Sequence, residues 1–143
     1  MLVVGSIAPE FVLPSQAGDT IKLSDYSNKS YVVLVFYPGD ATPVCTKQLC
    51  AIRDDFASFK SKNAVVFGVN PGGADSHKSF VAKHSFPFPL LVDEGKKVSK
   101  LYGCDALIMI QRTVYIIAPD GKIIYAKRGN PSTEEITTAI PAE

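Results

Sequence analysis

The run Tyr31-Val-Val-Leu-Val-Phe-Tyr37 constrains this chain more than any other stretch of it. It is an unbroken series of apolar residues, mostly β-branched or aromatic, and it reads as a strand buried on both faces. Such a strand needs layers packed above and below it, which calls for a central sheet flanked by helices. The run is broken by Pro38-Gly39, and Thr42-Pro43 then reads as a helix start. A hydroxyl residue stands at the N-cap and proline at the first helical position.

The other elements follow from period and punctuation. "EFVLPS" and "DTIKL", joined by Ala17-Gly18-Asp19, predict a short N-terminal hairpin. Leu49, Ile52, Phe56 and Phe59 recur at helical spacing through 47–62. "AVVFGVN" predicts a second buried strand, and 73–85 a helix with Phe80 and Val81 inward. A proline-guarded strand (86–93) and a short helix closed by Gly103 come next. Then "ALIMIQRTVYIIAPDGKIIYAKRG" predicts a hairpin turning at Pro119-Asp120-Gly121, and a last helix opens at Ser132 or Thr133. The expected fold is α/β with a mixed central sheet, in the element order of thioredoxin-like domains. No repeat or linker divides the chain, so one domain over 1–143 is expected.

Composition excludes several functions. The net charge is +1 and the basic residues are interspersed with acidic ones, so no nucleic-acid footprint is expected. No window holds the eighteen apolar residues of a membrane span, and the start lacks the basic region of a signal peptide. A cytoplasmic protein is expected. Three cysteines among 143 residues do not make a disulfide scaffold; they point to reactive or simply buried thiols.

Cys45 is the third residue of the helix that opens at Thr42-Pro43. Backbone N–H groups are unpaired there and the helix dipole is positive, which favours a thiolate; the alternative is a small buried hydrophobe. Bringing a thiol from about 8.5 to about 6 takes roughly 3.4 kcal/mol. A helix terminus gives only about 0.3–1 kcal/mol, so a cation is needed as well. Arg112 qualifies, because it shares a mostly apolar strand with Ile110 and Val114; a surface carboxylate is its alternative partner. Arg53 is a second candidate, with Asp54 as its obvious competitor.

Cys50 lies five residues beyond Cys45. On an intact helix their Cα atoms stand roughly 8.7 Å apart, past the ~7 Å reach of a disulfide. If these two thiols bond, the first turns must unwind. C-x4-C also falls within zinc spacing, but His77 and His84 lie far along the chain and are expected on a helix surface, so no zinc site is expected.

"FYPGDATPVCT" carries P-x-x-x-T-x-x-C spacing and resembles the active-site signature of peroxiredoxins; "CTKQLCAIRD" resembles their bacterioferritin-comigratory (Q-type) subfamily. "APEFVLPSQAGDTIKLSDY", "FPFPLLVD", "KLYG" and "QRTVYIIAPDGKI" extend the resemblance over nearly the whole chain. It implies a thioredoxin-like fold and a thiol peroxidase. Cys45 would attack the peroxide, Arg112 would hold thiolate and peroxide, Thr42 would orient the peroxide, and Pro38 would shield the site. Cys50 would resolve the sulfenic acid as a Cys45–Cys50 disulfide, for reduction by thioredoxin or a similar dithiol. The resemblance also implies a monomer without metal or organic cofactor. Val44 and Gln48 depart from the family's usual glycine and glutamate, and Cys104 is read as structural. A general disulfide oxidoreductase and a non-catalytic redox sensor or holdase are the competing functions.

Overall fold

Residues Tyr31–Phe36 form the middle of a five-stranded sheet, and the alternation of their side chains sorts the interior into two cores. Val33, Val35 and, just beyond, Tyr37 enter one core; Val32, Leu34 and Phe36 enter the other. The structure, a computed structural model, describes residues 1–107 and 109–141.

In chain order the strands are β1 (Val12–Pro14), β2 (Thr20–Lys22), β3 (Tyr31–Phe36), β4 (Ala64–Asn70), β5 (Leu90–Val92), β6 (Thr113–Ile117) and β7 (Ile123–Arg128). The hairpin β1–β2 stands apart from a sheet ordered β5-β4-β3-β6-β7. Neighbours β3, β4 and β5 run parallel, whereas β6 and β7 are antiparallel additions. The helices are α1 (Pro43–Asp54), α2 (Phe56–Ser61), α3 (Ala74–His84), α4 (Lys97–Leu101) and α5 (Thr133–Thr138). Leu49 and Ile52 of α1, Phe59 of α2, Phe80 of α3 and Ile136 of α5 all join the core of Val33 and Val35. The opposite core is covered by Val98 of α4, by Tyr102 and Cys104, and by Phe11 and Leu13 of the N-terminal segment. This is the expected α/β plan, with its mixed sheet and N-terminal hairpin. Among the described residues, no helix is long and apolar enough to cross a membrane.

Three details differ from expectation. The helical run after Cys45 divides at Asp55, which caps α1 with φ −102° and whose backbone carbonyl accepts a hydrogen bond from the Ser58 N–H. The Asp55 side chain is taken by the Thr133 hydroxyl of α5, and aspartate is a weak helix former, so a break there is cheap. The strand expected from 107 onward starts only at Thr113. Before it, Ile110 bridges to Asp105 and Gln111 N–H donates to Cys104 O (2.7 Å), so the chain folds on itself rather than extending the sheet. Ile108 of that run lies outside the described residues. Finally, His77 has no exposure, because positions 77, 80 and 84 share the face of α3 that carries Phe80 inward.

Candidate active site

The site is assembled where β3 ends and α1 begins. Thr42 is the N-cap in extended backbone, Pro43 is the first helical residue, and Cys45 sits in the first turn. The first intrahelical bond runs from Thr46 N–H to Thr42 O (2.9 Å), which leaves the N–H groups of Val44 and Cys45 without a helical acceptor. The hydroxyl of Thr42 does not cap the helix. It donates instead to Gly39 O (3.2 Å) and remains on an exposed residue, while Pro38 is half-buried.

Pairing register brings the cation. In the β3–β6 ladder Thr113 stands opposite Phe36, so Arg112 emerges beside the residue that leads into the Cys45 loop. Its Nη2–H donates to Cys45 Sγ at 3.1 Å and its Nη1–H to Gln48 Oε1 at 2.7 Å. Gln48 is three residues past Cys45, on the same helical face, and one guanidinium therefore spans both. A fork of fixed N–H donors fits this task better than an ammonium would. The bond to Arg112 orients the Gln48 amide and leaves Nε2 buried without a hydrogen-bond partner among the described residues. Cys45 itself has no exposure, and Arg112 is half-buried. Arg53 turns away: it pairs with Asp54 (3.0 Å) and donates to His84 O (2.7 Å).

Cys50 is half-buried and packs against the core that contains Cys45; both thiols are free. Cys104 is also free and fully buried, but it belongs to the core on the opposite face of the sheet. Burial pushes its thiol up, against the lowering effects of Thr113 and Arg128. Among the predicted residues, then, Cys45 and Arg112 touch, Thr42, Pro38 and Cys50 flank them along the chain, and Cys104 is excluded.

One cluster was not anticipated. Asp40, in the loop before Cys45, accepts from Tyr37 Oη (2.6 Å), Ser76 Oγ (2.7 Å) and His77 Nδ1 (2.5 Å). Burial opposes its ionisation, yet these donors hold its carboxyl below the ordinary range. Burial and the neighbouring Asp40 drive the Tyr37 hydroxyl far above its usual value. The helical spacing of His77 with Phe80 was the available signal, since it places the imidazole inward.

The chain is similar to known proteins along most of its length. The model of the AhpC/TSA family matches residues 4–126. Peroxiredoxin Bcp of Bacillus subtilis is 39% identical over 145 residues, covering 96% of this chain and 92% of that protein. The chloroplastic peroxiredoxin Q of Triticum aestivum is 43% identical over 124 residues, covering 85% of this chain. The match spans only 57% of the wheat protein's length. Among solved structures, peroxidoxin BcpB from Mycobacterium tuberculosis superposes with a TM-score of 0.91 at 27% identity, covering 98% of this chain and 97% of that one. A cysteine-to-serine mutant of PrxQ from Xylella fastidiosa gives 0.90 at 29% identity, covering 96% and 94%. The fold is thus the thioredoxin-like fold of peroxiredoxins.

Proposed function

The chain belongs to the AhpC/TSA family, and from that premise we propose that it is a thiol-dependent peroxidase with Cys45 as nucleophile. The observation that carries the assignment is the Arg112 guanidinium, shared between Cys45 Sγ and Gln48 Oε1. A cation 3.1 Å from a buried sulfur in a helix's first turn favours an anionic sulfur, and thiolate is the reactive form. The thiolate attacks the distal oxygen of a hydroperoxide. An S–O bond forms, the O–O bond breaks, and the departing oxygen takes a proton to leave as alcohol or water. Arg112 has a further role here, because its donors are also placed to meet the negative charge that develops on the peroxide oxygens.

Thr42 supplies a hydroxyl on the exposed turn that turns from Gly39 O to the peroxide, and Pro38 limits water below it. Because Cys45 is covered, a hydroperoxide reaches the sulfur only when the exposed turn of Thr42, Pro43 and Val44 yields. Val44 is 53% exposed there, in a place where the family's usual glycine has no side chain. Cys50 then attacks the sulfenic acid on Cys45, releasing water and forming an intramolecular disulfide once the start of α1 unwinds. An external dithiol such as thioredoxin restores both thiols. The single domain over 1–143, the monomeric state and the cytoplasmic location belong to the same proposal, as does chemistry without metal or organic cofactor.

The test is hydroperoxide consumption with thioredoxin as the reductant. Wild type should turn over and Cys45→Ser should lose at least a thousand-fold; a Cys45→Ser protein that matches wild type ends this reading.

A further inference from the structure

A polar cluster lies behind the loop of residues 37–42, and three of its donors, from Tyr37, Ser76 and His77, converge on Asp40. The Asp40 side chain is 7% exposed and that of His77 is not exposed at all. Among the described residues, His77 Nδ1 faces the Asp40 carboxylate (2.5 Å). Among the described residues, His77 Nε2 faces the carbonyl oxygens of Asn70 (3.3 Å) and Leu91 (3.2 Å). With a proton on each nitrogen the ring donates to all of these acceptors at once, whereas a neutral ring beside an ionised Asp40 turns a lone pair toward one of them. The same wall grips the loop a second time, since Asn70 Nδ2–H donates to Tyr37 O (2.8 Å). The turn after β4 is pressed onto the cluster. A Cβ at Gly72 would meet Asn70 Oδ1 at 2.9 Å and His77 Cε1 at 3.4 Å. Directly after Asp40, Ala41 adopts φ +61°, a conformation unfavourable for alanine that persists where the surroundings over-determine the backbone.

We propose that His77 is a positioning residue for the peroxide reaction. Held as an imidazolium between Asp40 and the carbonyls of Asn70 and Leu91, it fixes through Asp40 the stem of the loop that carries Pro38 and Thr42. The turn beyond Ala41 can then yield to admit peroxide, or unwind to let Cys45 meet Cys50, and return to the same place. His77 touches neither sulfur nor peroxide. Its effect is on how often the Thr42 hydroxyl stands over Cys45, and the Arg112–Cys45 contact lies outside the cluster. The proposal rests on the peroxidase reading of Cys45.

The decisive experiment is a double-variant cycle on the rate of Cys45 oxidation by hydrogen peroxide, measured in reduced protein by competition with a haem peroxidase. Asp40→Asn and His77→Gln should each slow oxidation about ten-fold, and the double variant should be no slower than the slower single one, because the two act as a unit. The thiolate fraction of Cys45, read from iodoacetamide alkylation at pH 7, should stay within about two-fold of wild type. Folded single variants that oxidise like wild type, or losses that multiply to about a hundred-fold, overturn the proposal. So does a rate loss matched by loss of thiolate. Should a variant not fold, Ser76→Ala decides, because it removes one exposed donor to Asp40: oxidation two- to three-fold slower supports the proposal and a wild-type rate overturns it. In the intact reduced protein at pH 7, nitrogen NMR should show both His77 ring nitrogens protonated, and a bare nitrogen overturns the charge assignment. The NMR result is independent of turnover. A wild type that consumes no peroxide breaks the reading of Cys45 instead.

Discussion

Cys45 and Cys104 are both wholly buried, both free, and on opposite faces of one sheet, yet their surroundings differ in kind. Cys45 lies in the first turn of a helix and receives a guanidinium N–H at 3.1 Å. Cys104 lies beyond α4, donates weakly to Tyr102 O (3.5 Å), and is packed against Tyr102 and Tyr115. Burial alone disfavours a thiolate, as it does at Cys104. At Cys45 the same burial removes the water that would screen Arg112 and so strengthens the attraction. The contrast teaches that depth does not decide whether a thiol is reactive; the charge aimed at it does.

The sharpest way to break this contrast is to remove the charge. Arg112→Met should slow the oxidation of Cys45 by peroxide about a hundred-fold and lower its thiolate fraction in alkylation across pH, while Cys104→Ala leaves both unchanged. If Arg112→Met oxidises at the wild-type rate at every pH, the two cysteines do not differ for the reason given.

Cys50→Ser tests the partner of the first thiol. Steady-state turnover with thioredoxin should fall about ten-fold, and one equivalent of peroxide should leave a sulfenic acid on Cys45 that a dimedone-type probe traps. A Cys45–Cys104 disulfide in oxidised wild type, seen by mass spectrometry, would erase the division between the faces.

A smaller effect is expected at Gln48. In Gln48→Glu a carboxylate competes with Cys45 for Arg112, so oxidation at neutral pH should slow a few-fold; faster oxidation would show that the guanidinium does not act through its charge.

The smallest effect concerns stability on the other face. The folded-state pKa of Cys104 is raised above the ordinary thiol value, so the fold holds a proton that the unfolded chain releases. The stability tied to this proton is complete below that value and declines as pH rises past it. Melting temperatures between pH 8 and 10 should therefore fall less steeply for Cys104→Ala than for wild type, and identical slopes would contradict the assignment.

Much of this arrangement was legible before any fold. The buried strand at Tyr31–Tyr37 and the start signal at Thr42-Pro43 place Cys45 in a first turn, because both signals are carried by residues adjacent in the chain. The partners were harder to read. Arg112 was one of two candidates, and its expected strand setting was wrong by several residues, since Ile110 pairs with Asp105 instead of continuing β6. Thr42 was expected at the N-cap and is there, but its hydroxyl serves Gly39 O, an alternative that propensity does not distinguish. His77 was expected on a surface. A charged neighbour 37 positions away in sequence, Asp40, is what makes its burial possible.

By itself, then, the sequence determined the local chemistry: a strand that must be buried, a helix that must begin at Pro43, and a thiol in its first turn. Only the tertiary structure decided which charge meets that thiol and which side of the sheet each cysteine occupies. The contact between Arg112 and Cys45 joins residues 67 apart, and it exists because the β3–β6 register sets Thr113 against Phe36. Helix signals act over one turn, within reach of neighbouring residues. Strand register is settled by the packing of whole faces, which no short stretch of chain contains.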